Sequence, residues 1–234
     1  MTSFSGSKNV NRKELYQNVR KAYRLVYEVQ DSIVATAEYI RTKIKFSKWG
    51  GGPLFSAAVA KKRVIEDGYT PDQIGGDMWS WDYFPTYMYM YYYELLDPSE
   101  HQYCCFSIIQ VMDDGFKVIP DAPTPPSTKA FIPPEKSESY LLFAFSLWNK
   151  GEQELWFTFD GVDYIRDEKS EILRISKLID EQGTPYVTSL NEHHFIVMKV
   201  PLEEIGNKVE TDEFLQKFSD LIIAQTNYQI LNEG

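Results

Sequence analysis

The sequence predicts an α+β fold, a mostly antiparallel sheet of about 5–6 strands packed by a long N-terminal helix and by C-terminal helices. Three observations carry that expectation. Apolar residues repeat at helical spacing from Arg12 to about Phe46, aromatic and β-branched runs fill the middle of the chain, and helical and strand-like runs alternate towards its end. The rings are densest between Trp79 and Tyr93, where nine of fifteen residues are aromatic. Each buried ring removes roughly 150–250 Å² from water, so this stretch is expected near the centre of the core.

Met1 to Asn11 is rich in Ser, Gly and Asn and reads as a flexible N-terminus, leaving residues 12–234 as a single domain. From Arg12 onwards, Val19, Val26, Ile33 and Ile40 recur every seven residues, and Leu15, Ala22, Val29 and Thr36 form a second series between them. Together they make the a/d stripe of one long helix, with Arg20, Lys21, Arg24, Arg41, Lys43 and Lys45 on its other faces. Such a stripe either covers a sheet or pairs with a partner or with its own copy. The run Gly50-Gly51-Gly52-Pro53 is expected to end that helix in a turn and to start a second one from about Pro53 to Glu66. Lys61, Lys62 and Arg63 would then sit near the negative pole of the second helix. A Gly-rich loop before a helix can cradle phosphate, but this one lacks the Gly-Lys-Ser/Thr ending of a P-loop.

The aromatic stretch divides at Pro85. Tyr87, Tyr89, Tyr91 and Tyr93 alternate, so Thr86 to Leu95 reads as a strand, turned by Asp97 to Glu100 into a second strand within His101 to Met112. Residues 119–134 hold six of the twelve prolines and read as a stiff surface connection. Ser139 to Trp148 is apolar at almost every position, the mark of a central strand covered on both faces. A turn at Asn149 to Glu152 would return it as a strand over Leu155 to Phe159. A helix is expected from about Glu168 to Glu181, strands over Tyr186 to Ser189 and His194 to Val200, and a last helix from about Thr211 to Thr226. In that last helix Phe214, Phe218, Leu221 and Ile222 would be buried, with Thr211 as N-cap.

Net charge is −10, unevenly spread. Up to Glu66 there are 13 Lys/Arg against 5 Asp/Glu, and beyond it 11 against 29. The basic part, 12–66, either docks on the acidic body, 67–234, or meets an external anion. No run approaches the roughly 18–20 apolar residues of a membrane span, and the first ten residues lack the apolar stretch of a secretory signal. The whole chain is therefore read as a cytoplasmic protein. The only cysteines, Cys104 and Cys105, are adjacent on a strand, where alternation would strain a mutual disulfide, which favours a reducing compartment.

For chemistry, the clearest negative is metal spacing: there is no zinc motif, no His-Glu-x-x-His and no calcium loop. Asp160, Asp163 and Glu168 cluster after a strand and could hold Mg²⁺ in a hydrolase or nuclease, though a polar turn leading to a helix N-terminus has the same composition. His193 and His194 open a strand and titrate near neutrality, yet no Ser or Cys lies in a nucleophile-elbow context to pair with them. Nucleic acid could meet Arg20, Arg24, Lys61, Lys62 and Arg63, with Trp49 and Tyr69 for stacking, against an acidic body that opposes a broad footprint. Trp79, Trp81, Tyr83 and Phe84 form a loop of rings with polar neighbours, suited to a protein contact as well as to the core. The leading expectation is a non-catalytic, macromolecule-binding protein without cofactor, acting through the N-terminal helix, the Trp79–Phe84 loop, or both. The metal-dependent hydrolase and the nucleic-acid binder are the alternatives.

Overall fold

A computed structural model describes residues 11–46, 48–53, 88–97, 102–115, 132–149, 171–190 and 193–232. Helix α1 spans Arg12–Lys43. It starts at Asn11, whose side chain accepts from the Lys13 N–H, and places Glu14 in the first turn, where an anion favours the dipole. It stops earlier than the stripe implies because Ile44 is extended and bridges Leu231. The C-terminal segment thereby supplies donors to α1's last carbonyls: Asn232 N–H to Lys43 O at 2.8 Å and Asn232 Nδ2 to Thr42 O at 3.2 Å.

Among the described residues six strands follow: β1 (Lys48–Pro53), β2 (Met88–Asp97), β3 (Gln102–Val111), β4 (Tyr140–Asn149), β5 (Tyr186–Leu190) and β6 (His193–Pro201). They form one sheet in the order β1-β2-β3-β4-β6-β5, with every neighbouring pair antiparallel. The α+β expectation is met, and the hairpin of the aromatic stretch with the Cys104 run is β2 and β3, in register from Met88↔Val111 to Asp97↔Gln102. The apolar run from Ser139 becomes β4, placed between β3 and β6.

Alternation sorts the sheet into two buried faces. One carries Tyr93, Phe106, Ile108, Leu141, Phe143, Phe145 and Ile196 under α1 and under α3 (Lys208–Thr226), which contribute Ile33, Ala37, Ile40, Leu215, Phe218 and Ile222. The other carries Met88, Met90, Ile109, Tyr140, Leu142, Phe195 and Val197 under α2 (Glu171–Gln182), through Ile175 and Ile179. Covering both faces explains why β4 is apolar almost throughout.

Three expectations are corrected. Gly50, Gly51 and Gly52 do not form a turn; they lie inside β1, paired with Tyr92, Tyr91 and Met90. The glycines are there for closeness: a Cβ on Gly51 would meet Tyr89 Cε1 at 2.8 Å and Met90 O at 2.9 Å, and one on Gly50 would collide with the Tyr92 ring. The N-cap of α3 is Asn207, whose side chain accepts from the Val209 and Glu210 N–H groups. Thr211 lies one turn inside, buried, with its hydroxyl donating to Asn207 O at 2.8 Å. In α3 the buried apolar stripe is Leu215, Phe218 and Ile222, with Phe214 and Leu221 only half-buried against it. The expected helix over 53–66 and strand over 155–159 lie outside the described residues.

Candidate functional site

The stripe of α1 has two different environments. Ile33, Ala37 and Ile40 are sealed against the sheet and α3, at 4 %, 4 % and 0 % exposure. The same stripe one and two heptads earlier is open: Leu15 is 45 % exposed, Val19 39 % and Val26 44 %, with Tyr16 and Leu25 beside them more exposed still. Water thus faces a helical seam that would be buried in any packed helix, which is unusual for a run of apolar residues this long.

Three contacts fix where the seam leaves the body. The Gln30 amide donates to the Tyr91 hydroxyl at 2.7 Å and accepts from Gln110 Nε2 at 2.9 Å. Two turns further, Tyr93 donates to the Ala37 carbonyl at 2.9 Å. Burial pushes the Tyr91 phenol up to about 12, with Tyr89 adding to the shift, so Tyr91 is neutral at any physiological pH and able to accept from Gln30. Near the far end of the helix, Tyr39 donates to Asp212 at 2.8 Å, with Lys43 at 3.5 Å from the same carboxylate. The basic helix therefore meets the acidic body through Asp212, while Arg20 and Arg24 stay exposed on the open half.

Beside the point of departure, a cleft of about 390 Å³ opens between α1, the end of β3, the start of β4 and the turn after β6. Val29, Ile33, Met112, Leu141, Leu202 and Ile205 line it, so the open seam runs into an apolar recess.

A second polar grouping ties α2 to the sheet. Lys199 is 7 % exposed and is held by Asp180 at 2.7 Å and Glu138 at 2.7 Å, over the Tyr140 ring at 4.3 Å. Burial alone would lower its ammonium pKa, but the bonds to Asp180 and Glu138 outweigh that and raise it. Ser176 donates to the Tyr140 hydroxyl at 2.8 Å, so α2 is tied to the sheet at two polar points.

Of the sequence-predicted residues, His193 and His194 are half-buried at the start of β6, and His194 Nδ1 lies 2.8 Å from the Ser189 hydroxyl of β5. That pair is a cross-strand hydrogen bond, Ser189↔His194 being register partners. Cys104 is buried and Cys105 half-buried, neither of them in a disulfide, and burial pushes the Cys105 thiol up to about 11. Trp79, Trp81, Tyr83, Phe84, Lys61, Lys62, Arg63, Asp160, Asp163 and Glu168 lie outside the described residues. Among the described residues no group of three or more His, Cys, Asp or Glu is placed to hold a metal, and no helix is long and apolar enough to cross a membrane.

Sequence reasoning missed the Gln30–Tyr91–Gln110 bonds and the Lys199 group. The latter left one usable signal, a single lysine inside the apolar run Phe195 to Val200. The sequence matches the PM0109 family over residues 9–227. No curated protein and no solved structure matches it.

Proposed function

We propose that this chain, which belongs to the PM0109 family, is a non-catalytic, macromolecule-binding protein that docks a protein partner on the exposed half of α1. The observation that carries the reading is the continuity of one stripe across two environments: buried at Ile33 and Ile40, open at Leu15, Val19 and Val26. A helix with an apolar stripe is stabilised chiefly by packing, so an open stripe of this length is suited to a second surface. Cys104 and Cys105, neighbours on β3 that form no disulfide, support a reducing, cytoplasmic setting. The ring-rich stretch Trp79–Phe84 is assigned a secondary contact on its composition.

The test is in-cell crosslinking of the wild-type chain against a Val19→Glu/Val26→Glu variant, whose two sites are exposed enough for the fold to be kept. Crosslinked species of higher mass are expected for the wild type and lost in the variant. The same crosslinked species at the same yield in both would rule the docking surface out.

A nucleic-acid reading has one observation in its favour, the exposed cations Arg20 and Arg24 on the same half-helix. Retardation of short nucleic acids at low salt, lost on Arg20→Ala/Arg24→Ala, would support it.

A further inference from the structure

We infer that the occupant of the open α1 face is the same face of a second copy of this chain, the two helices crossing antiparallel. This rests on the docking reading above and names its partner. The first argument is where charge is absent. With Val19 and Val26 at position a of the heptad and Leu15, Ala22 and Val29 at d, the flanking e and g positions from Tyr16 to Leu25 hold Tyr16, Asn18, Tyr23 and Leu25. Every charged residue from Lys13 to Asp31 falls at b, c or f: Lys13, Glu14, Arg20, Lys21, Arg24, Glu28 and Asp31. Flanking charges are what set a helix against its own copy or select a different partner. A seam with neutral flanks meets itself without like-charge repulsion.

The second argument is the order of signs along the helix. Its free end carries Arg12, Lys13 and Glu14, a net positive turn, and its root, where it enters the body, carries Glu28 and Asp31. An antiparallel register that sets Leu15 opposite Val26, and Val19 opposite Ala22, brings the cations of each free end level with the anions of the other root. A parallel pair would instead place Arg12 and Lys13 against themselves. Arg20, Lys21 and Arg24 lie near the two-fold axis but point outward from the seam.

The third argument is the body itself. From Ile33 onwards the stripe is occupied by the sheet and α3, so a parallel pair would drive two bodies into the same space at one end. The antiparallel pair leaves one body at each end of a seam about 30 Å long.

Sedimentation of the purified full chain, taken up to roughly 100 µM because a seam this short associates weakly, reads the pairing directly. A concentration-dependent species of twice the 27.2 kDa chain mass is expected. Val19→Glu/Val26→Glu is expected to weaken it about tenfold or more, with an unchanged circular dichroism spectrum. A chain that stays monomeric overturns self-pairing, as does a dimer indifferent to the double substitution. Spin labels on Lys13→Cys give the orientation: in the antiparallel pair they lie roughly 25 Å apart, set by about fifteen residues of helical rise, and a distance near 10 Å overturns that arrangement. Crosslinks that persist in cells while the purified chain stays monomeric would leave the docking reading standing and remove self-pairing. Loss of both would remove both.

Discussion

The Gln30 amide donates to the Tyr91 hydroxyl at 2.7 Å, and this bond joins the first turn of α1 that touches the sheet to the middle of β2. On its N-terminal side the stripe is open; on its C-terminal side it is core. Tyr91→Phe removes the acceptor and keeps the ring. A loss of about 1 kcal/mol in urea denaturation is expected, the usual net worth of such a bond. Amide exchange in residues 29–36 should rise in the same variant, and unchanged exchange there would show that the bond does not hold the helix root.

Lys199 offers a sharper test of how α2 is held. Lys199→Met keeps the stem over Tyr140 but removes the three donors to Asp180 and Glu138. Those carboxylates are at least half exposed, so water compensates them in part, and the expected cost is about 1–2 kcal/mol rather than the larger figure for a sealed pair. A chemical denaturation midpoint equal to the wild type would count against any role of the lysine in stability.

Gly51→Val places a branched side chain where a bare Cβ already meets Tyr89 and the Met90 carbonyl at under 3 Å. Because the second obstacle is backbone, side-chain rotation alone cannot relieve it. Destabilisation of about 1–3 kcal/mol is expected, with detachment of β1 visible as increased exchange at Lys48–Pro53. Gly52→Ala, where nothing lies within 4 Å of the added carbon, is the control and should be close to neutral.

Alkaline pH should unfold the protein over a window that the shifts define. Lys199 has its folded pKa raised above the ordinary lysine value, and burial raises the phenols of Tyr91, Tyr93 and Tyr140. A group whose folded pKa is raised binds its proton more tightly in the native state. Its contribution is complete below the unfolded pKa, about 10 for these types, and is lost as pH climbs through the folded value. Melting temperature is therefore expected to hold up to about pH 9 and fall steadily between about 10 and 12. Tyrosinate absorbance should show the buried phenols ionising only with unfolding. Early, complete ionisation in the folded protein would contradict their burial.

The parts of the fold that could be read from sequence are those where one physical demand sets the residue pattern. β4 is covered on both faces, so nearly every side chain from Tyr140 to Trp148 must be apolar, and α1 carries a heptad because its stripe must stay on one side for many turns. β1 could not be read that way. Its glycines exist to let the Tyr89 and Tyr92 rings approach, so the information lies in β2, while in β1 itself the triplet looks like a turn. Lys199 has partners 19, 59 and 61 residues away in Asp180, Tyr140 and Glu138, and no spacing announces them. The division of α1 into a buried and an open half is likewise invisible in its heptads, which run unchanged across Gln30. It depends on where the sheet beneath the helix ends.

That division bears on how the open half forms at all. An isolated helix must first close a turn that fixes several residues for a single bond, which occurs with a statistical weight of only about 10⁻³. In this chain the nucleus is already made, because Ile33, Ala37 and Ile40 are locked by tertiary packing, and the helix has only to propagate backwards, one hydrogen bond per residue, to its cap at Asn11. Anything that lands on Leu15, Val19 and Val26 therefore meets a shape already assembled, and most of the ordering entropy that coupled folding would demand at the moment of contact has been met by the body beforehand.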